Sequence, residues 1–247
     1  MPIDPPLFTA ARAVWESLAG VPVAFRPAAQ GPQVVLSPAS GLCPPGWAGV
    51  VAVGGAVIAT VPEEAWAAPV RAALAPLSAG AAVDPAAVRR VLPVAESLGP
   101  AALAYLDAAH FRPVGDGGPA VVHLPARHAA VEELERESGA KDADEADLGR
   151  ITSPAFVVFD GEAVVAAAGY RRWAGGAAHI GVLTRPGHRG RGLAGATGSA
   201  AAAHALAAGL LPQWRARVPA SRRVAAALGF AELGAQLSVR LQRPSRR

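Results

Sequence analysis

A glycine- and arginine-rich segment between an apolar run and an alanine-rich run is the most constraining feature of this chain. The apolar run, residues 180–183, is followed closely by Pro186, and proline cannot donate a hydrogen bond to a sheet ladder. The alanine-rich run, residues 193–208, has one of the highest helix propensities available. The sequence therefore predicts a β-strand that leads into an α-helix through a glycine-rich turn.

This turn carries groups that suit a phosphate. The backbone N–H groups at a helix N-terminus have no intrahelical partner, and the helix dipole is positive there. Gly190 and Gly192 have no side chain to keep a ligand away, and Arg189 and Arg191 add charged donors. The spacing matches neither a P-loop nor a dinucleotide fingerprint. The alternative is an ordinary strand-to-helix connection with solvated arginines.

The segment resembles the coenzyme-A motif of the GNAT superfamily of N-acetyltransferases, R/Q-x-x-G-x-G/A after a strand that ends V-x-P. Arg189, Gly192 and Ala194 occupy the three defining positions. Thr184 and Pro186 stand where the V-x-P usually stands.

A second segment strengthens the resemblance. Residues 211–230, LPQWRARVPASRRVAAALGF, are similar to the family's next strand, helix and closing LGF. The resemblance covers residues 119–247. It implies the order β, α, α, β, β, β, α, β, α, β and a mixed sheet flanked by helices.

The resemblance also implies acetyl-CoA as the co-substrate and assigns residues to it. The pantetheine and the acetyl group would lie along the strand, and the pyrophosphate would lie on the loop and the helix start. The implied contact residues are Val182, Leu183, Thr184, Arg189, Gly190, Arg191, Gly192, Leu193 and Ala194, with Ser221 on the following helix.

Two positions depart from the family pattern. The tyrosine that often serves as the acid, three residues before the LGF, is replaced by Ala225, and an asparagine common before the next helix is replaced by Val218. The chain's only tyrosines are Tyr105 and Tyr170. These departures leave open a catalytically silent protein that binds coenzyme A and acts in regulation.

His179 is the candidate general base. Many family members place a carboxylate at the start of the coenzyme-binding strand, and His179 is the nearest titratable group there. An imidazole with a pKa of about 6.5 can accept a proton, although a shift of one residue would turn it to the other face of the sheet. A structural role is the alternative. Structural or solvated roles are expected for the others considered, His188, His204, His123 and His128.

Charge is distributed unevenly along the chain. Residues 148–247 hold 14 basic and 3 acidic groups, residues 119–147 hold 3 and 8, and residues 1–118 hold 6 and 8. The positive field on the proposed phosphate loop favours an anionic ligand. Nucleic acid would fit the charge as well, but it ranks below a small-molecule or peptide amine acceptor.

A break in composition suggests two domains. Residues 112–118 are rich in glycine and proline and are predicted to be a linker. Residues 1–111 would form a smaller α+β domain of unknown role, and residues 119–247 the transferase domain. The fold class is therefore α+β or mixed α/β. In the first half we predict a hairpin at Gly54 and Gly55 and helices over 4–19, 62–77, 85–94 and 99–109.

The remaining predictions concern disulfides, metal, cellular location, source, oligomeric state and the reaction. The single cysteine, Cys43, excludes an internal disulfide, and we predict no metal. A start without signal-peptide features and the lack of a long apolar run predict a cytoplasmic location. The arginine-rich composition indicates a bacterial source, and homodimer formation stays open. We predict an acetyl-CoA-dependent N-acetyltransferase acting on a primary amine.

Overall fold

The computed structural model describes residues 5–115 and 117–242. These residues form two compact units. One contains the described residues up to Leu103 together with those from Glu232 onward, and the other contains residues 104–231. The units do not end where the predicted domains end, because the last strand pairs with a strand of the first half.

The helices and strands follow in a simple order. The described elements are α1 (Pro5–Leu18), β1 (Gln33–Leu36), β2 (Ala48–Val53), β3 (Ala56–Val61), α2 (Ala67–Leu74), α3 (Ala79–Ala82), α4 (Pro85–Val91), β4 (Val94–Tyr105), β5 (Val122–Leu124), α5 (Ala129–Ser138), α6 (Ala140–Ala146), β6 (Ala155–Asp160), β7 (Ala163–Arg172), β8 (Ala177–Thr184), α7 (Leu193–Ala207), β9 (Leu211–Ala216), α8 (Pro219–Ala227) and β10 (Ala231–Leu241). Short 3₁₀ turns connect several of them.

The first unit is built on strands in the order β1-β3-β2-β10. β1 runs parallel to β3, and β2 is antiparallel to both β3 and β10. Every residue of β2 and β3 is buried, which explains their continuous apolar sequence. The predicted hairpin at Gly54 and Gly55 is confirmed, because both residues have the positive φ that its tight turn requires.

The helix predicted over residues 99–109 is wrong. The structure has strand β4 at Val94–Tyr105, in which Ala101, Leu103 and Tyr105 are buried at a spacing of two. Alanine and leucine favour a helix in isolation, but this segment is hydrogen-bonded beside β10 in the sheet, and such tertiary pairing overrides local propensity. The other three predicted helices exist, with α2 shorter than expected.

The second unit contains a mixed sheet in the order β9-β8-β7-β6-β5. β5, β6, β7 and β8 are antiparallel neighbours, and β8 is parallel to β9. The predicted order of strands and helices is confirmed from β5 to β10, and the mixed α/β class is confirmed with it.

Two apolar cores cover the two faces of this sheet. One, on the face of α5 and α6, includes Leu134, Leu148, Val157 and Leu183. The other, on the face of α7 and α8, includes the buried residues Phe156, Tyr170, Ile180, Ala201, Trp214 and Leu228. Because strand residues alternate between faces, odd-numbered residues of β8 and β9 point toward α5 and α6.

Glycine is required where α6 meets β8. A Cβ atom on Gly181 would lie 1.9 Å from the carbonyl oxygen of Ala146, the last residue of α6. This close approach brings the C-terminus of α6 onto the middle of β8.

Among the described residues, no helix combines the length and apolar character needed to span a bilayer.

Candidate functional site

Strands β8 and β9 separate part of the way along their length. Their pairing begins at Ala177 and Leu211 and ends at Ile180 and Trp214. Both strands continue beyond that point, and β8 stays paired with β7 as far as Thr184. The facing backbone edges of β8 and β9 are therefore left apart. We call this opening, between residues 181–184 and residues 215–216, the splay.

The glycine-rich loop follows directly after the splay. A short turn at Pro186–His188 leads into it. Gly190 and Gly192 have φ values of 80° and 77°, and Gly192 caps α7 without a side-chain hydrogen bond. A Cβ atom on either glycine would meet nothing within 4 Å. The α7 N-terminus thus faces open space lined by backbone, as phosphate binding requires.

Three arginines around the loop and the splay pair with carboxylates of α5 and α6. Arg189 also donates through Nε to the Thr184 carbonyl oxygen, at 3.3 Å. These ion pairs bring the acidic segment of the sequence against the basic one. They are Arg185–Glu137, Arg189–Asp142 and Arg217–Glu145.

Three buried polar atoms next to the loop have no hydrogen-bond partner among the described residues. They are Thr184 Oγ1, at the end of β8, Arg185 Nε and His188 Nδ1. The other ring nitrogen of His188 lies 3.0 Å from a carboxylate oxygen of Asp160. Unsatisfied buried polar groups are uncommon in proteins, so these atoms are available to a polar ligand.

The predicted coenzyme residues fall into two groups. Residues 182–184 line the splay and residues 189–194 form the loop and the first turn of α7, so the structure brings these two stretches together. Leu183 and Leu193 are buried, whereas the loop residues are exposed. Ser221 is engaged elsewhere, because its hydroxyl accepts from the indole nitrogen of Trp214 at 2.9 Å.

His179 lies at the closed end of the splay and is only 8% exposed. Its Nδ1 is 2.5 Å from the amide oxygen of Gln213, which makes Nδ1 the protonated nitrogen. The ring stacks on Trp173 with centroids 4.1 Å apart. Burial lowers the pKa of His179 to about 3, and the positive charge of Arg215 is the second cause of this shift. The imidazole is therefore neutral at physiological pH.

The sequence reasoning missed the polar residues around His179. Arg171, Trp173, Gln213 and Arg215 all lie on the face of α5 and α6. A signal was present in the sequence of β9 and the residue after it, where Gln213, Arg215 and Arg217 alternate with apolar residues. This alternation predicts one polar face on the strand.

The other histidines make local contacts. His204 on α7 lies 2.9 Å from the Tyr170 hydroxyl. His128 caps α5 by accepting from the N–H of Ala130 at 3.2 Å. His123 packs edge-on against Phe156. Within residues 5–115 and 117–242, no group of three or more His, Cys, Asp or Glu side chains is placed to hold a metal ion.

Part of the chain matches a protein-family model. Residues 152–235 match the model described as GNAT acetyltransferase. The matched segment contains the splay, the glycine-rich loop and α8. Residues 152–235 are therefore similar to GNAT acetyltransferases, in the part of the chain where the motif predicted it.

Solved structures give weaker likenesses. A GNAT-family protein from Novosphingobium aromaticivorans DSM 12444 has 22% identity and a TM-score of 0.47, over 59% of this chain and 65% of its own. An acetyltransferase from the GNAT family of Colwellia psychrerythraea has 13% identity and a TM-score of 0.47, over 64% and 60%. A GCN5-related N-acetyltransferase from Kribbella flavida has 19% identity and a TM-score of 0.43, over 58% and 58%.

This chain thus spans less than two thirds of the length of each of these three proteins. Comparison with curated proteins finds no match.

Proposed function

We propose that this protein transfers an acetyl group from acetyl-CoA to a primary amine on a small molecule or a peptide. The observation that carries the proposal is the splay, where β8–β9 pairing ends at Ile180 and Trp214 directly before the glycine-rich loop. An opening between parallel strands beside an open helix N-terminus suits a long ligand with a phosphate at one end. The arginine-rich composition supports a bacterial source.

In this proposal the loop holds the pyrophosphate. The N–H groups at the start of α7 and the side chains of Arg189 and Arg191 would donate to its oxygens. Val182, Leu183 and Thr184 would contact the pantetheine through their main chain, and the unpartnered Thr184 Oγ1 is a further donor. The bound coenzyme supplies an activated thioester.

His179 is the proposed base. In the transfer, the acceptor nitrogen bonds to the acetyl carbon while the C–S bond breaks, and the proton lost by nitrogen ends on the leaving thiolate. Because Nδ1 is held by Gln213, Nε2 is the nitrogen that can take this proton. A pKa of about 3 makes His179 a weak base, so the acceptor has to bind as the neutral amine.

The second candidate is a catalytically silent coenzyme-binding protein. It is favoured by the same low pKa of His179 and by Ala225, a buried residue at the position where the family usually has tyrosine. Of the two tyrosines, Tyr170 is buried with its hydroxyl on His204. A nearby tyrosine acid is therefore not part of the proposed mechanism.

Calorimetry with acetyl-CoA and thiol release over a broad amine panel test the proposal together. We expect acetyl-CoA to bind and at least one primary amine to release free thiol. Binding without thiol release for any amine would support the silent protein. Failure to bind acetyl-CoA would reject both candidates.

A further inference from the structure

Three polar residues form a row across the central strands of the second unit. His179 on β8 is in register with Arg171 on β7 and with Gln213 on β9. All three lie on the face of α5 and α6. The next register pair along β8 and β9, Ile180 and Trp214, is the last before the splay. Since a strand rises about 3.3 Å per residue, the row lies beside the closed end of the splay.

Positive charge surrounds this row. Arg171 and Arg215 both approach the ring of Trp173, at 5.8 Å and 5.9 Å from its centroid. The charges of Arg171 and Arg215 also help to keep His179 unprotonated. A protonated amine held at this point would meet the same repulsion.

One carboxylate lies within ion-pair distance of two of the nearby arginines. Asp147 lies 3.6 Å from Arg171 and 3.9 Å from Arg150. It is held in position by a left-handed backbone conformation, with φ of 51°, that is unusual for a residue other than glycine. Two guanidinium groups therefore share a single carboxylate, and Arg215 adds to the positive field. Asp147 also interacts with Arg215 and with Glu135, so the cluster holds three guanidinium groups and two carboxylates.

A buried donor in the row also lacks a partner. The Gln213 side chain is fully buried, and while its oxygen accepts from His179, its Nε2 has no hydrogen-bond partner among the described residues. Leaving an amide donor unsatisfied in the interior destabilises the folded protein. A ligand oxygen that accepts from this N–H would remove that destabilisation.

We infer that Arg171 and Gln213 bind a carboxylate of the acceptor, so that the substrate is an amine that also carries a carboxylate group. This inference rests on the proposed function. Guanidinium and amide N–H groups are donors only, and arginine pairs with carboxylate through two parallel hydrogen bonds. The carboxylate occupies the row, and the neutral amine of the same molecule reaches the splay beside His179. Polyamines without an acid group are excluded by charge.

Matched acceptor pairs test this inference on the full chain. Each pair consists of an amine with a free carboxylate and the same amine with that group amidated, such as glycine and glycinamide, β-alanine and β-alaninamide, and short peptides with free or amidated C-termini. Thiol release from acetyl-CoA gives kcat/KM for each member. We expect the carboxylate member to be favoured by roughly 10- to 100-fold, the value of a hydrogen bond to a charged group.

Three variants connect this preference to the row. Arg171→Gln should remove most of the preference through a higher KM for the carboxylate member, and Arg171→Lys should restore part of it. Arg172→Gln is the matched control, because Arg172 is exposed and its side chain projects from the opposite face of β7. It should keep the full preference. Thermal unfolding of each variant verifies that it is folded.

The outcomes separate this inference from the proposed function. Transfer without a preference for the carboxylate would overturn the acceptor class and leave the transferase standing. A preference that survives Arg171→Gln in a folded protein would overturn the row as the carboxylate site. Coenzyme binding with no transfer to either member of any pair would overturn both.

Discussion

Arg189, the first residue of the glycine-rich loop, donates to a carboxylate oxygen of Asp142 on α6, 47 residues earlier in the chain. The contact joins the proposed pyrophosphate loop to the acidic helix. Asp142 thus occupies a donor that the proposed function assigns to an anionic ligand. Any phosphate bound at the loop has to compete with this carboxylate for Arg189.

Asp142→Asn should raise the affinity for acetyl-CoA. The pair is half exposed, with side-chain accessibilities of 52% for Arg189 and 36% for Asp142, and such pairs contribute about 0.2–1 kcal/mol. We expect the dissociation constant to fall by roughly 1.5- to 5-fold in calorimetry. Asp144→Asn, an exposed residue of the same helix, controls for the loss of charge alone. Equal gains in both variants would contradict a specific role for Asp142.

Gly192→Glu should abolish coenzyme binding. The new side chain would enter the open space at the start of α7 and add a negative charge to an anion site. Gly192→Ala is the control, since it meets the same left-handed strain with φ of 77° but adds only a methyl group. We expect the alanine variant to bind within about 10-fold of the wild type and the glutamate variant not to bind. Unchanged binding by the glutamate variant would reject the loop as the phosphate site.

Gly181→Ala should destabilise the protein. Its Cβ atom would lie 1.9 Å from the carbonyl oxygen of Ala146, so α6 would have to move away from β8. Overpacking of this kind costs about 1–3 kcal/mol, and chemical denaturation should show a loss of that size. Gly187→Ala is the control, because a Cβ atom there meets nothing within 4 Å. If Gly181→Ala leaves the free energy of unfolding unchanged, α6 does not lie against β8 in solution.

Burial of His179 should make stability depend on pH. The pKa of His179 is about 3 in the folded protein against an ordinary value of 6.5, so between these values the unfolded chain binds more protons. Stability is therefore lost as pH falls through this window. Between pH 7 and pH 5 the loss from this residue should be about 2 kcal/mol. Urea unfolding of the wild type and of His179→Gln at both pH values measures it. An equal pH dependence in the two proteins would contradict the burial.

The catalytic role of His179 requires a separate measurement. If its Nε2 takes the proton of the acceptor, His179→Ala should lower kcat by roughly 10² to 10⁴. The affinity for acetyl-CoA should stay within threefold, because the residue lies beside the splay and away from the loop. A loss of turnover smaller than about threefold would leave His179 with a structural role beside Trp173 and Gln213.

The local features of the second half were readable from the sequence. The strand β8 and the helix α7 were predicted because each has a strong local signal: an apolar run or an alanine-rich stretch. Gly190 and Gly192 were identified as a phosphate loop for the same reason, since a turn into a helix is defined by neighbouring residues. The family motif at residues 189–194 then led to the domain that the family match supports.

Tertiary contacts decided the rest. β4 is a strand despite its helix-favouring composition, because it is hydrogen-bonded beside β10 in a sheet. β10 pairs with β2, so the last strand joins the first unit. The row of Arg171, His179 and Gln213 exists only through strand register, and the contact between Arg189 and Asp142 only through the placement of α6. Local propensities act over a few residues, whereas register and ion pairing depend on which segments meet in space. The sequence therefore indicated the loop, and only the folded chain assembled the polar row.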